Sequence, residues 1–237
     1  MKLFKFIADS GLLSRRRAQE EIKNAMVTVN DKLILDPFHD INIKDDVRYD
    51  QKKVKQRDRF TTILLHKPKG YISTKSDEKD RKTIFELIPS KYYLNHVGRL
   101  DKDTTGAILL TDDGQLSQFL MHPKNKIEKE YLAVSDKFLD KKTIDKIKRG
   151  IFIGSNQKGK AKIISQEKIK NRVEIKMILR QGKKNEIRRI FKFLDLKLFS
   201  LKRERIGEIL LGDLPIGSWR ELSKKEIKYL QRIHSKS

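Results

Sequence analysis

Residues 162–179 hold two eight-residue runs with strand character, Lys162–Ile169 and Arg172–Leu179, separated by Lys170-Asn171. This spacing predicts a long hairpin. A lone hairpin is marginal in water and needs further strands or a covering helix, so the chain must be built round a sheet. Other strand-like runs are Ile63 to Leu65, Tyr71 to Thr74, Ala107 to Leu110 and Tyr131 to Val134. Helical spacing marks Thr83 to Ile88, Gln115 to Met121, Leu139 to Lys148 and Glu186 to Leu194. The sequence Ser223-Lys-Lys-Glu226 is a capping box opening a last helix. Strands outnumber helices without strict alternation, which predicts an α+β fold on a mostly antiparallel or mixed sheet.

The first fifty residues read as a separate unit. Leu3, Phe6 and Ile7 have helical spacing, and Gly11 can end that helix in a left-handed conformation. Ser14 is the expected N-cap of a second helix whose inner face is Ala18, Ile22 and Ala25. Val27 to Val29 and Leu33 to Leu35 flank an Asn30-Asp31 turn, and Val47 to Tyr49 is a further strand. Residues 51–60 carry five bases, one acid and little apolar content, which reads as a basic linker to a larger domain over 61–237.

Charge is segregated along the chain. Lys and Arg number 55 against 32 Asp and Glu, a net charge of +23. Residues 1–50 balance nine against nine, whereas 141–210 hold 22 bases and seven acids. A concentrated excess of this kind is the electrostatic footprint of a polyanion-binding protein, with nucleic acid the first candidate. Within the neutral first unit, Arg15, Arg16 and Arg17, with Lys23 further on, form the one concentrated basic feature. No apolar run is long enough to span a membrane, and the start lacks a secretory signal pattern, so a cytoplasmic location is expected. With no Cys there is no disulfide, thiolate nucleophile or Cys-built metal site.

Three short segments carry candidate chemistry. Gly98-Arg99-Leu100-Asp101-Lys102-Asp103-Thr104-Thr105-Gly106 has glycines at both ends of a tight loop that presents Asp101. Glu128-Lys129-Glu130-Tyr131 sets an aromatic at a strand start, and residues 181–189 (QGKKNEIRR) form a basic turn entering a helix. Two look-alikes are weak. Asp101 to Asp112 imitates a calcium-binding loop, but Leu109 and Leu110 fall where polar ligands are needed. The D-x-D-x-T spacing imitates a phosphatase nucleophile loop, yet no uninterrupted apolar strand precedes it.

The run FIADSGLLSRRRAQEEIKNAMVTVNDKLI resembles the S4-like RNA-binding domain, with Asp31 where that domain commonly has Gly. The segments HVGRLDKDTTGAILLTDDGQLSQFLMHP, KEYLAV, QGKKNEIRRIF and LKRERIGEILLGDLPIGSWRELS follow in order. Together they resemble the ribosomal RNA pseudouridine synthases of the RsuA type, with His66 standing where the family commonly has Asn. The resemblance implies isomerisation of uridine to pseudouridine in ribosomal RNA or in a ribosomal-subunit assembly intermediate, large subunit preferred. It implies a monomer that needs no cofactor and no metal.

It also assigns roles. Asp101 acts as nucleophile on ribose or as the base that gives a glycal; Arg188 keeps it ionised, with Ile187 packed beside. Tyr131 stacks on the flipped base and assists removal of the carbon-5 proton. Arg15, Arg16, Arg17, Lys23, Arg99, Lys183, Lys184 and Arg189 are the expected RNA contacts. Arg99 either contacts RNA, fills the gap left by the flipped base or makes a structural pairing, and Arg189, Lys183, Lys184, Arg203 and Arg205 are expected on phosphates or on the protein surface. The alternative from another class is a non-catalytic RNA-binding ribosome-assembly factor.

Overall fold

The computed structural model describes residues 1–57, 59–75, 77–89 and 93–235. The chain divides into two compact units, Met1–Thr61 with Asp112–Gly114, and Thr62–Thr111 with Gln115–Ser237.

In the first unit, α1 (Leu3–Asp9) and α2 (Arg15–Lys23) pack with β1 (Val27–Val29), β2 (Lys32–Leu33), β3 (Val47–Tyr49) and β4 (Lys52–Lys53). The strands form an antiparallel sheet in the order β2-β1-β3-β4. Leu3, Phe6, Ile7, Ala18, Ile22, Val27 and Val47 make its core. Gly11 takes φ +81° after α1, and the Ser14 hydroxyl accepts from the Arg17 amide 3.2 Å away. Ala25 is a departure: it lies past the helix end, exposed, at φ 61°. The returning strand stops at Leu33, and both Leu33 and Leu35 are exposed. Asp31 has φ 62° in the β1–β2 turn, a conformation in which Gly would be unstrained. Part of the basic 51–60 stretch is sheet, because β4 pairs with β3 and Val54 is buried in the same core; Asp58 lies outside the described residues.

The second unit is a nine-stranded mixed sheet with helices. Its strands are β5 (Thr62–Lys67), β6 (Asn95–Val97), β7 (Thr105–Thr111), β8 (Lys129–Ser135), β11 (Lys162–Ile169), β12 (Arg172–Leu179), β13 (Leu198–Ile206), β14 (Ile209–Leu210) and β15 (Trp219–Glu221). A separate two-stranded ladder joins β9 (Ile151–Phe152) and β10 (Lys158–Gly159). The helices are α3 (Gly114–Met121, whose first residue counts with the other unit), α4 (Lys141–Arg149), α5 (Glu186–Phe193) and α6 (Lys224–Ser235). The main path runs β11-β12-β8-β13-β7-β5-β15, with β6 beside β7 and β14 beside β13. Among the described residues every pairing in this sheet is antiparallel except β13 with β7.

Strand alternation distributes side chains to separate cores. In β5 and β7, Leu64, Ala107 and Leu109 pack with Leu116, Leu120 and Leu230, while Ile63, Leu65, Ile108 and Leu110 face Ile84 and Leu100. In β12, Val173, Ile175, Met177 and Leu179 all enter a third core with Ile147, Ile187, Ile190 and Phe191. The β11–β12 boundaries agree with the sequence reading, and the Ser223–Glu226 capping box is present, with bonds of 2.8 and 3.3 Å. Residues 83–88 form only one short 3₁₀ turn, Ile84–Leu87, and 71–74 make one isolated bridge instead of a strand. The nine-residue β13, between β8 and β7, has no counterpart in the sequence reading. Its irregular pairing opposite β8, at Leu198/Ser200 and Arg203/Arg205, interrupts the period-two pattern that would reveal it.

Candidate active site

The Gly98–Gly106 loop enters β7 and is held from beneath. Leu100 is buried, and its backbone N–H and C=O both bond the Ser73 hydroxyl, at 3.2 and 3.1 Å. The Asp101 carbonyl accepts from the Thr104 amide at 3.0 Å, closing a turn just before β7. Behind this turn, fully buried Lys67 at the end of β5 donates to the carbonyls of Pro68, Lys102 and Thr104 at 2.9, 3.2 and 2.9 Å. Gly106, at φ +104°, lies against β13: a Cβ there would sit 2.2 Å from the Arg203 carbonyl oxygen.

The second wall is the 181–186 turn. Buried Glu186 is its hub, accepting from the amides of Lys160 and Lys183, both at 3.1 Å, and from the Gln181 side chain at 2.6 Å. This holds Asn185 at φ +53° just before α5. Its side-chain nitrogen, in the orientation its neighbours require, lies 2.7 Å from each Asp101 carboxylate oxygen. One helical turn on, Arg188 donates to the Thr104 hydroxyl at 3.3 Å, and its Nε is buried with no acceptor among the described residues.

The third element is Tyr131 on β8, half-buried between the core that holds Leu100 and the core that holds Ile187. Arg203 of β13 stands over it, its guanidinium carbon 5.9 Å from the ring centroid and Nη1 3.4 Å from the phenol oxygen. Arg203 is only 3% exposed, which removes it from the surface and phosphate roles open to it in the sequence. It donates from Nε to the Ala107 carbonyl at 2.6 Å, and its Nη2 has no partner among the described residues.

Electrostatics follow from this burial. Desolvation pushes the Asp101 carboxyl above the usual aspartate range, while Arg188, then Arg99, Lys67 and Lys184 pull it back without cancelling the effect. Arg188 acts here through space: its bond goes to Thr104, and among the described residues no ion pair to Asp101 forms within 4.0 Å. Lys67 is lowered to about 8 by burial, against the opposing pull of Asp101 and Asp103. Burial, reinforced by Arg203, likewise lowers Lys129 to about 8.

The loop and the α5 entry thus bring Asp101, Asn185 and Arg188 together, while Tyr131 packs on the cores that hold Leu100 and Ile187, beside Arg203. The remaining basic positions divide. Arg15, Arg16, Lys23, Arg99 and Lys184 are exposed. Arg17 pairs with Glu21 and Glu20 at 2.5 and 3.4 Å. The Lys183 ammonium donates to the Lys158 carbonyl, and Arg205 pairs with Glu130 at 2.9 Å. Arg189 donates to the carbonyls of Ile153, Gly154 and Lys184 and to the Gln157 side chain, so its guanidinium braces the 153–157 turn. Asp112 accepts from Arg57 at 2.6 Å and from the Thr61 amide at 2.7 Å. Lys67 and Arg203 are the site members to which sequence reasoning gave no place in the site, and Asn185 and Glu186 stood in its third segment without a role. An Asn directly before a helix that opens with Glu was the available signal for the α5 turn.

A family model described as RNA pseudouridylate synthase matches residues 61–193, the span that contains Asp101, Tyr131 and Arg188. The chain belongs to the RNA pseudouridine synthase family. Two relatives place it on the RsuA/RluB branch, as the sequence motifs implied. It is 36% identical to a ribosomal large subunit pseudouridine synthase B of Bacillus subtilis, over 98% of this chain and 96% of that one. It is 32% identical to a ribosomal small subunit pseudouridine synthase A of Escherichia coli, over 96% and 98%. A crystal structure of a pseudouridylate synthase superposes with a TM-score of 0.68 at 28% identity, covering 97% of this chain and 99% of the other. The protein is therefore a pseudouridine synthase.

Proposed function

We propose that this synthase isomerises uridine in ribosomal RNA, of the large subunit in preference to the small, with Asp101 as the essential group. The observation that carries the reading is a desolvated carboxylate held by one amide and surrounded by cations at the end of a glycine-bounded loop. The reaction breaks the bond from ribose carbon-1 to N1 of uracil and makes one to carbon-5; the carbon-5 proton leaves and N1 gains one. Whether Asp101 attacks the anomeric carbon or removes a ribose proton, it must be ionised at that moment. Arg188, Lys67 and Arg99 supply the positive field that opposes its protonation. Tyr131 offers a ring face to the base turned out of its stack, and such stacking contributes about 1–3 kcal/mol. Its hydroxyl, beside Arg203, is the group that would take the carbon-5 proton.

The first unit is proposed to hold structured RNA. Exposed Arg15, Arg16 and Lys23 lie on or at the ends of one short helix, and helix-start amides favour phosphate as well. The 36% identity to a large-subunit enzyme supports the subunit preference. The test is to incubate the protein with unmodified large- and small-subunit ribosomal RNA, derivatise with carbodiimide and read reverse-transcription stops. A new stop in large-subunit RNA, absent with Asp101→Asn, is expected. Stops only in small-subunit RNA reverse the preference, and stops that persist with Asp101→Asn refute the role of Asp101.

A further inference from the structure

We infer that Asn185 is a positioning residue for Asp101, a donor that fixes the carboxylate's direction and favours its ionised form. The inference rests on the catalytic reading of Asp101 given above. Its nitrogen is equidistant, 2.7 Å, from both carboxylate oxygens, so it lies on the bisector of the group. A bridging donor there restrains rotation of the carboxylate and leaves a second lone pair on each oxygen for the ribose. Both bonds are made to the charged form, so they oppose the burial that otherwise favours the acid.

The backbone explains why Asn stands here. Position 185 is in the left-handed region, φ +53° and ψ 31°, which Gly, Asn and Asp enter most readily. Of these three only Asn carries an amide donor. The Glu186 carboxylate fixes the turn through three hydrogen bonds, so Asn185 is presented by a rigid support and its reach to Asp101 is set before RNA arrives. The next turn of the same helix delivers Arg188. One short segment thus supplies both the donor that aims Asp101 and the foremost cation acting on it.

Two variants keep the backbone conformation while changing the donor. Asn185→Gly removes the amide, and Asn185→Asp exchanges it for a second carboxylate. Single-turnover rates and RNA dissociation constants are measured from pH 5 to 9, beside Asp101→Asn and with melting curves to confirm folding. Asn185→Gly is expected to slow turnover by about 10²-fold, as misplaced catalytic groups do, with RNA affinity within about threefold of wild type. Its acid limb should move to higher pH, because the ionised carboxylate has lost its donor. Asn185→Asp should lose more and move the limb further, since two adjoining carboxylates share a proton. A folded Asn185→Gly protein with an unmoved acid limb overturns the inference, whether its rate is normal or reduced. Activity in Asp101→Asn would instead remove the catalytic reading on which the inference stands.

Discussion

At the scale of single residues, the chemistry turns on two groups of opposite charge, half-buried Asp101 and fully buried Lys67. Asp101 is raised by burial and must be ionised to act, so turnover is lost as pH falls through its elevated value. Lys67 is lowered to about 8, so its field is lost as pH rises through that value. A bell-shaped single-turnover profile is expected, with its alkaline limb near 8, and Lys67→Met should lose that limb along with much of the rate. Asp101→Asn should abolish turnover by about 10³-fold or more. Its effect on stability has the other sign. An acid whose folded-state value is raised binds its proton more tightly when folded, a gain present at low pH and lost as pH climbs through that value. Ionised Asp101 is therefore a cost at neutral pH, and Asp101→Asn should melt no lower than wild type at about pH 7.5 while still bonding Asn185. A clear drop in its melting temperature would contradict the burial argument.

At the scale of elements, the site depends on the parallel contact of β7 and β13. Gly106 stands opposite Arg203 in that register, and its positive φ and missing Cβ let the two backbones approach. Gly106→Ala should destabilise the second unit by about 2–4 kcal/mol, read as a lower denaturant midpoint, because it brings both a clash and backbone strain. It should also displace Arg203 and slow turnover in whatever protein remains folded. By contrast, Gly98 and Gly70 have open space where a Cβ would project, so Ala there would meet only the strain of positive φ. Of the loop's two glycines, the second is thus required by packing and the first only by its turn.

At the scale of the whole molecule, a charge of +23 predicts RNA affinity that falls steeply with salt. Arg15→Ala, Arg16→Ala and Lys23→Ala together should weaken binding and flatten the log–log salt slope by about 0.7–0.9 for each phosphate no longer neutralised. Arg189→Ala should leave that slope unchanged and lower stability instead, since its guanidinium is engaged by the protein itself. A reduced slope for Arg189→Ala would show a phosphate role beside the structural one. Fluorescence anisotropy over a range of salt concentrations separates the two sets.

The sequence alone determined the local features, because they are written in neighbouring residues. The β11–β12 hairpin, the Ser14 and Ser223 caps, the left-handed Gly11 and the Asp101–Thr104 turn all rest on interactions within a few positions. The S4-like run and the four motif segments that follow it in order carried the family as well. Tertiary structure decided which distant groups meet. Lys67 reaches the loop carbonyls from 35 and 37 residues away, and Arg203 binds the Ala107 carbonyl across 96. A lysine or arginine reads as solvent-facing until a fold supplies enough carbonyls to bury it. Asn185 likewise looks like one more polar turn residue until the chain brings Asp101 within its reach.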